Sequence, residues 1–225
     1  MRILVTNDDG FEAPGLEALT RVAAGHGDVV VVAPTVEQSY MGHRVTAHDV
    51  LRPVAYAPGR FHLNGTPADC VRIALRGLRL EVDLVLSGIN CGGNLGADIY
   101  TSGTVAAARE AAFLGKPALA LSQYVQAGTP LDWSETAACA GRAVAELLTA
   151  GVAEQGVYWN VNLPHPGPAA GMVQCEPDAH PLDVRFAEED GGFRFAGRYA
   201  DRPRAEGRDV AQCFAGYITV SRLRL

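Results

Sequence analysis

No apolar run in this 225-residue chain approaches the ~20 residues that a membrane-crossing helix needs. A secretory leader is not expected either, because the opening MRILVTNDDG passes at once into a strand-like run and two carboxylates. The expected location is therefore the cytoplasm. Cysteine is scarce and scattered. Cys70, Cys91, Cys139, Cys175 and Cys213 are odd in number and never spaced CxxC, which leaves no zinc or disulfide framework and points to reduced thiols. Positive charge is also short, with 19 basic against 25 acidic residues and a net charge of −6. Such a surface argues against a nucleic-acid polymer or an anionic membrane as main partner, since either needs a basic face. A small phosphorylated ligand remains open, because a few backbone amides and one cation hold it. The loop after the first strand lacks GxGxxG, and no lysine belongs to a GxxxxGK[ST] loop. Dinucleotide binding and P-loop chemistry are thus not indicated.

What is present is core material: 48% of residues are hydrophobic and 20% charged, enough for one full-sized globular core. Short β-branched runs alternate with helical stretches. The strands are expected at Arg2–Thr6, Val29–Ala33, Asp83–Ser87, Ala118–Ser122 and Tyr158–Asn162. VVVVA and DLVLS are continuously apolar, as befits parallel strands covered on both faces. Helices are expected from Pro14 to about Gly25, from the Thr66-Pro67 cap through Leu78, over Thr104–Leu114 behind a Ser102 cap, and over Ser134–Thr149. This repetition predicts a mostly parallel α/β sheet sandwiched by helices, with ligands bound beyond the carboxyl ends of the strands. Residues 1–164 form the predicted core carrying the site. Residues 165–225, rich in Gly, Pro, Arg and acids before a final alternating strand over Tyr217–Leu225, read as β-hairpins and loops extending from it.

Three polar clusters follow strands: Asn7-Asp8-Asp9, Pro34–His43 and Ser87–Gly96. Asp8 and Asp9 stand side by side in a Gly10-terminated turn. Two ionised neighbours repel unless a cation lies between them, and hard oxygen donors in a tight turn suit Mg²⁺ or Mn²⁺. The plain alternative is one aspartate capping the next helix and the other in solvent. The Ser87–Gly96 stretch holds four glycines and two asparagines, flexible backbone with fixed amides, where an Asn carbonyl can join a cation's shell. Ser102-Gly103-Thr104 opens a helix, where free amides and the helix dipole favour a phosphate; a simple N-cap is the alternative. His43 is a candidate proton shuttle to a leaving group, and Cys91, with no histidine partner in sequence, reads as incidental.

Together these pieces resemble the SurE (survival protein E) family. The resemblance is carried by Ile3–Gly10 (ILVTNDDG), Ala13-Pro14-Gly15, Val32-Ala33-Pro34, Glu37-Gln38-Ser39, Gly65–Val71 (GTPADCV), Ser87–Asn90 (SGIN), Asn94-Leu95-Gly96 and Tyr100–Ala108 (YTSGTVAAA). A weaker match resumes at Asn160–Pro164 and Gly216–Val220. The chain departs from the pattern where Tyr40-Met41 replace a glycine after Ser39, where Arg44 replaces a small residue, and at Thr35.

The resemblance implies a Rossmann-like core and one divalent cation per subunit, Mg²⁺ or Mn²⁺, held by Asp8, Asp9, Ser39 and Asn90. It implies Asp8 and Asp9 as catalytic residues, and phosphate contacts from Asn94, Ser102, Gly103 and Thr104. The implied activity is hydrolysis of nucleoside 5′- and 3′-monophosphates, with short polyphosphate a further candidate substrate. A homodimer or homotetramer built partly through the C-terminal hairpins is implied as well. Two rival readings are a haloacid-dehalogenase-type phosphatase with an aspartate nucleophile, which normally has alternate rather than adjacent aspartates, and a non-catalytic nucleotide-binding module.

Overall fold

The computed structural model describes residues 1–182 and 184–225. In chain order the elements are β1 (Arg2–Thr6), α1 (Pro14–Ala24), β2 (Asp28–Pro34), β3 (Pro53–Ala57), β4 (Arg60–Leu63), α2 (Pro67–Arg72), β5 (Leu84–Cys91), α3 (Gly103–Phe113), β6 (Ala118–Gln123), α4 (Trp133–Ala150) and β7 (Val157–Leu163). They continue with β8 (Met172–Gln174), β9 (Phe186–Glu189), β10 (Gly192–Phe195), α5 (Asp209–Phe214) and β11 (Ile218–Arg224). Nine strands form one sheet in the order β3-β4-β2-β1-β5-β6-β7-β11-β8, and β9 and β10 make a separate hairpin. From β4 to β7 every neighbouring pair is parallel; β3 and β11 run antiparallel to β4 and β7. Among the described residues no helix is long and apolar enough to cross a membrane.

The periodicity of the strands explains the layers. Ile3, Val5, Leu84, Leu86, Leu119 and Leu121 face one side and are buried against Leu16 and Leu19 of α1 and Ala140 and Val144 of α4. Their alternate neighbours Leu4, Val30, Val32, Val85, Ala118 and Ala120 face the other side, against Val71 of α2 and the alanine-rich α3. The small face of α3, Ala107, Ala108 and Ala111, brings that helix close to the sheet and sets its N-terminus above the strand ends.

The predicted strands and the four long helices are all present, with boundaries shifted by one or two residues except in β5 and α2. Strand β5 runs four residues past Ser87 to Cys91, with its register against β6 shifted between Ser87 and Asn90. Gly88 makes that possible: its φ is +133°, and a Cβ there would lie 2.2 Å from the Leu121 carbonyl oxygen. Helix α2 ends at Arg72 and gives way to a π-helical turn over Ile73–Gly77, closed by Leu78 N–H to Ile73 C=O at 2.7 Å. The β3–β4 hairpin, β8 and α5 do not follow from local pattern, being short and held by tertiary partners. Asp209 at the start of α5 shows how: it is fully buried and accepts the amides of Gly96 and Asp178, each at 2.7 Å.

Candidate active site

The chain leaves β1 toward β2 on one side, and later returns to lay β5 on the other side of β1. The crevice between the carboxyl ends of β1 and β5 is therefore the point where the strand order reverses, the place where open α/β sheets bind ligands. Asp8 and Asp9 leave β1 there, and Asn90 and Cys91 end β5. The two loops are tied together by the Cys91 amide, which donates to Asp9 Oδ2 at 3.0 Å.

Asp8 is only 4% exposed, and Thr104 supplies both its strongest contacts. The Thr104 amide donates to Oδ2 at 3.1 Å and its hydroxyl donates to Oδ1. Gly103 is what lets the helix end come so near, because a Cβ on it would sit 2.9 Å from Asp8 Cβ and 3.0 Å from Oδ2. Burial pushes the Asp8 carboxyl up to about 6, with the Thr104 hydroxyl pulling the other way and the charge of Asp9 adding to the rise. Asp9 is raised as well, chiefly by burial and then by Glu37, against the lowering effect of the Cys91 amide. Two adjacent carboxylates are thus held in an environment that disfavours their charge.

That is the condition a bound cation relieves, and the surrounding donors fit one. Asn90 Nδ2 donates to the Gly92 carbonyl at 2.7 Å, which leaves its Oδ1 as an open acceptor. Ser39 Oγ donates to Glu37 Oε1 at 2.6 Å and keeps its lone pairs. Its loop is fixed on the site by the Gln38 amide, 2.7 Å from the Asp8 carbonyl oxygen. Carboxylate, hydroxyl and amide oxygens are the hard donor set of Mg²⁺ or Mn²⁺. No cluster of three or more His, Cys, Asp and Glu occurs among the described residues, so a cation here would rest on two carboxylates and neutral oxygens.

At the start of α3, most of the donors of Ser102-Gly103-Thr104 already have protein partners. Ser102 caps α3 by accepting the Val105 amide at 3.1 Å, and both Thr104 donors go to Asp8. Of the first-turn amides, Gly103 N–H is the one without an acceptor among the described residues, and the Ser102 hydroxyl proton also remains free to donate. Asn94 is buried behind the site: Nδ2 donates to Ser122 Oγ at 2.8 Å, and its backbone is held by Asn160 and Asn162. His43 lies against α3 with Nε2 2.8 Å from Glu110 Oε2 and Nδ1 3.4 Å from Arg109. Glu110 is six residues beyond Thr104, about 9 Å along the helix. The Cys91 thiol is pushed up by burial and by Asp9, the reverse of an activated nucleophile.

Sequence reasoning missed the tie between Thr104 and Asp8, the Cys91 amide, and the C-terminal clamp on the glycine-rich loop. In that clamp Arg202, 8% exposed, pairs with Asp98 and donates to the Leu95 carbonyl at 3.0 Å. Tyr199 donates to Asp98 at 2.9 Å, and burial, then Asp98, hold its phenol well above its ordinary range. The one legible signal was the glycine at the first position of α3. The clamp joins residues more than a hundred apart in sequence, and no local spacing announces it.

A mostly parallel sheet flanked by helices, with a carboxylate pair at its reversal point and a helix N-terminus facing them, makes this an α/β protein with its candidate site at the carboxyl ends of the strands. The family model of the survival protein SurE matches residues 3–180, and the chain belongs to that family. It is similar to a protein of Nostoc sp., provisionally named a 5′-nucleotidase, at 42% identity over the whole of both chains. The 5′-nucleotidase SurE of Sorangium cellulosum is 48% identical over 72% of this chain and 64% of its own length. The crystal structure of the SurE protein from Aquifex aeolicus superposes with a TM-score of 0.87 at 32% identity, covering all of this chain and 93% of that one.

Proposed function

We propose that this protein is a cation-dependent phosphomonoesterase acting on nucleoside 5′- and 3′-monophosphates, with short polyphosphate as a secondary substrate. The observation that carries the reading is the buried Asp8, held by both donors of Thr104 beside Asp9 at the reversal point of the sheet. Asp8, Asp9, Ser39 and Asn90 would hold one Mg²⁺ or Mn²⁺. When bound, such an ion supplies charge neutralisation at the phosphoryl group and a more acidic water.

The chain's own residues do the rest. Gly103 N–H and the Ser102 hydroxyl donate to phosphoryl oxygens at the positive end of α3, where fixed donors stabilise charge developing in the transition state. Asp9 keeps one oxygen without a hydrogen bond among the described residues and orients the attacking water. Thr104 acts through Asp8, and Asn94 shapes the loop that positions Asn90. The water oxygen bonds to phosphorus as the ester oxygen leaves and takes up a proton, giving nucleoside and phosphate. The proposed setting is a cytoplasmic homodimer or homotetramer.

The test is phosphate release from a panel of nucleoside monophosphates and polyphosphate, with and without EDTA. The expected result is turnover restored by Mg²⁺ or Mn²⁺. A trapped phospho-aspartate would favour a haloacid-dehalogenase-type enzyme, and binding without turnover a regulatory module.

A further inference from the structure

Two tyrosines beside the candidate site hold their rings outside the core. Tyr40 is 89% exposed and Tyr100 77% exposed, the two highest values among the large apolar and aromatic side chains. Neither ring stacks on another aromatic residue among the described residues, so neither is explained by packing. Exposed aromatic rings lose the burial that normally stabilises them.

Their backbone positions are fixed by the site itself. Tyr40 follows Ser39 in a segment that runs from the Gln38 amide on the Asp8 carbonyl, 2.7 Å, to the Gly42 amide on the Thr101 carbonyl, 3.0 Å. Tyr100 precedes Thr101, two residues before Ser102, and its carbonyl oxygen is 3.5 Å from where a Cβ on Gly42 would be. The two segments are thus in contact, and each presents one solvent-exposed ring next to a proposed cation or phosphate residue. Tyr40 also has φ +58°, a left-handed conformation that is costly for a bulky side chain. Outliers of that kind cluster at ligand clamps.

We infer that Tyr40 and Tyr100 form an aromatic rim on which the base of the substrate stacks once its phosphate is seated at Gly103. This rests on the phosphomonoesterase reading and adds to it the source of selectivity for nucleotides over other phosphate esters. A ring face accepts any base, so the rim predicts broad base tolerance with purines favoured by their larger area.

The experiment compares kcat/KM for AMP with that for ribose 5-phosphate, which keeps the phosphate and sugar and lacks the base. In Tyr40→Ala and Tyr100→Ala the AMP-to-ribose 5-phosphate ratio should fall roughly five- to twentyfold, the lower part of what base–aromatic stacking supplies. The loss should appear mainly in KM, and Tyr40→Phe should restore the ratio. An unchanged ratio in both alanine variants, or equal losses on the two substrates, overturns the rim. Should the wild-type protein hydrolyse neither compound, the phosphomonoesterase reading fails by itself. Calorimetric titration with AMP and ribose 5-phosphate in the presence of Mn²⁺ then decides the rim: it stands if AMP binds tighter and the alanine variants erase the difference, and falls otherwise.

Discussion

Two acidic, glycine-ended turns occur in this chain, and they share little but composition. Asn7-Asp8-Asp9-Gly10 follows a central strand; Glu188-Glu189-Asp190-Gly191-Gly192 is the tip of the β9–β10 hairpin, with Asp190-Gly191 as the turn. In the first, Asp8 is buried and held by the amide and hydroxyl of Thr104. In the second every residue is exposed, and the Glu189 carboxylate pairs with Arg194 across its own hairpin. Their carboxyls shift in opposite directions. Burial raises Asp8 to about 6, whereas the Arg194 hydrogen bond lowers Glu189. A pair of acids before a glycine is therefore not chemistry in itself. What makes the first turn the candidate site is the low-dielectric floor beneath it and the helix end above it.

Breaking the first turn should have the largest effect. Asp8→Asn or Asp9→Asn is expected to lower kcat/KM on nucleotides by at least ~100-fold, since a cation ligand is lost. Thermal unfolding should be unchanged or raised, because one of two repelling charges is gone. Cation-independent wild-type rates in either variant would remove the pair from the mechanism.

Next comes Thr104→Val, which keeps the helix amide and removes the hydroxyl. Asp8 then loses a hydrogen bond that favours its ionised form, so cation affinity and kcat/KM should fall about 10- to 100-fold. The acidic limb of the pH–rate profile should move to higher pH. A fall in rate with no movement of that limb would place the hydroxyl on the substrate instead.

The clamp between the C-terminal segment and the glycine-rich loop is expected to matter for stability. Arg202→Met leaves Asp98 partly buried without its cation, at a cost of about 3 kcal/mol, the low end for breaking such a pair. For a chain of this size that lowers Tm by roughly 6–12 °C. A Tm within a degree or two of wild type would make the pair incidental.

The pH dependence of the metal-free protein has a definite sign. The Asp8 carboxyl is raised in the folded state, so its contribution favours folding at low pH and is lost as pH rises through about 6. Measured against Asp8→Asn, wild type should lose up to ~3 kcal/mol between pH 4 and pH 7.5. Saturating Mn²⁺ should reverse the loss. A difference that stays flat with pH would mean the carboxylate is not carrying a buried charge.

The smallest effect on chemistry should come from the second turn. Phe186, Phe193 and Phe195 are exposed, and Phe186 and Phe195 touch only edge to face, 6.0 Å between ring centres. A two-stranded hairpin of this kind is marginal alone, and a second copy of the chain is the proposed cover. Replacing residues 186–195 by a short Gly-Ser linker should leave turnover per subunit within about twofold while shifting the particle toward monomer in light scattering. An intact protein that is already monomeric at micromolar concentration would refute the assembly.

Local pattern was sufficient for what is continuous along the chain. The runs RILVT, VVVVA and DLVLS mark buried parallel strands because two covered faces demand apolar side chains throughout. The Thr66 capping box and the Ser102 cap mark helix starts because orphan amides need acceptors within three residues. Asp8, Asp9, Asn90 and Ser102 all stand at strand or helix ends, so their candidacy was legible as well. Only the tertiary structure decided which donor serves which acceptor. Thr104, expected to meet a phosphate, has its amide and hydroxyl on Asp8 where Gly103 lets the helix end approach. Asn94, expected beside the phosphate, gives its Nδ2 to Ser122 and its backbone to Asn160 and Asn162. Hydrogen bonds are short-ranged and directional, and their partners here lie 28 to 96 residues apart, a separation that spacing along the chain does not encode.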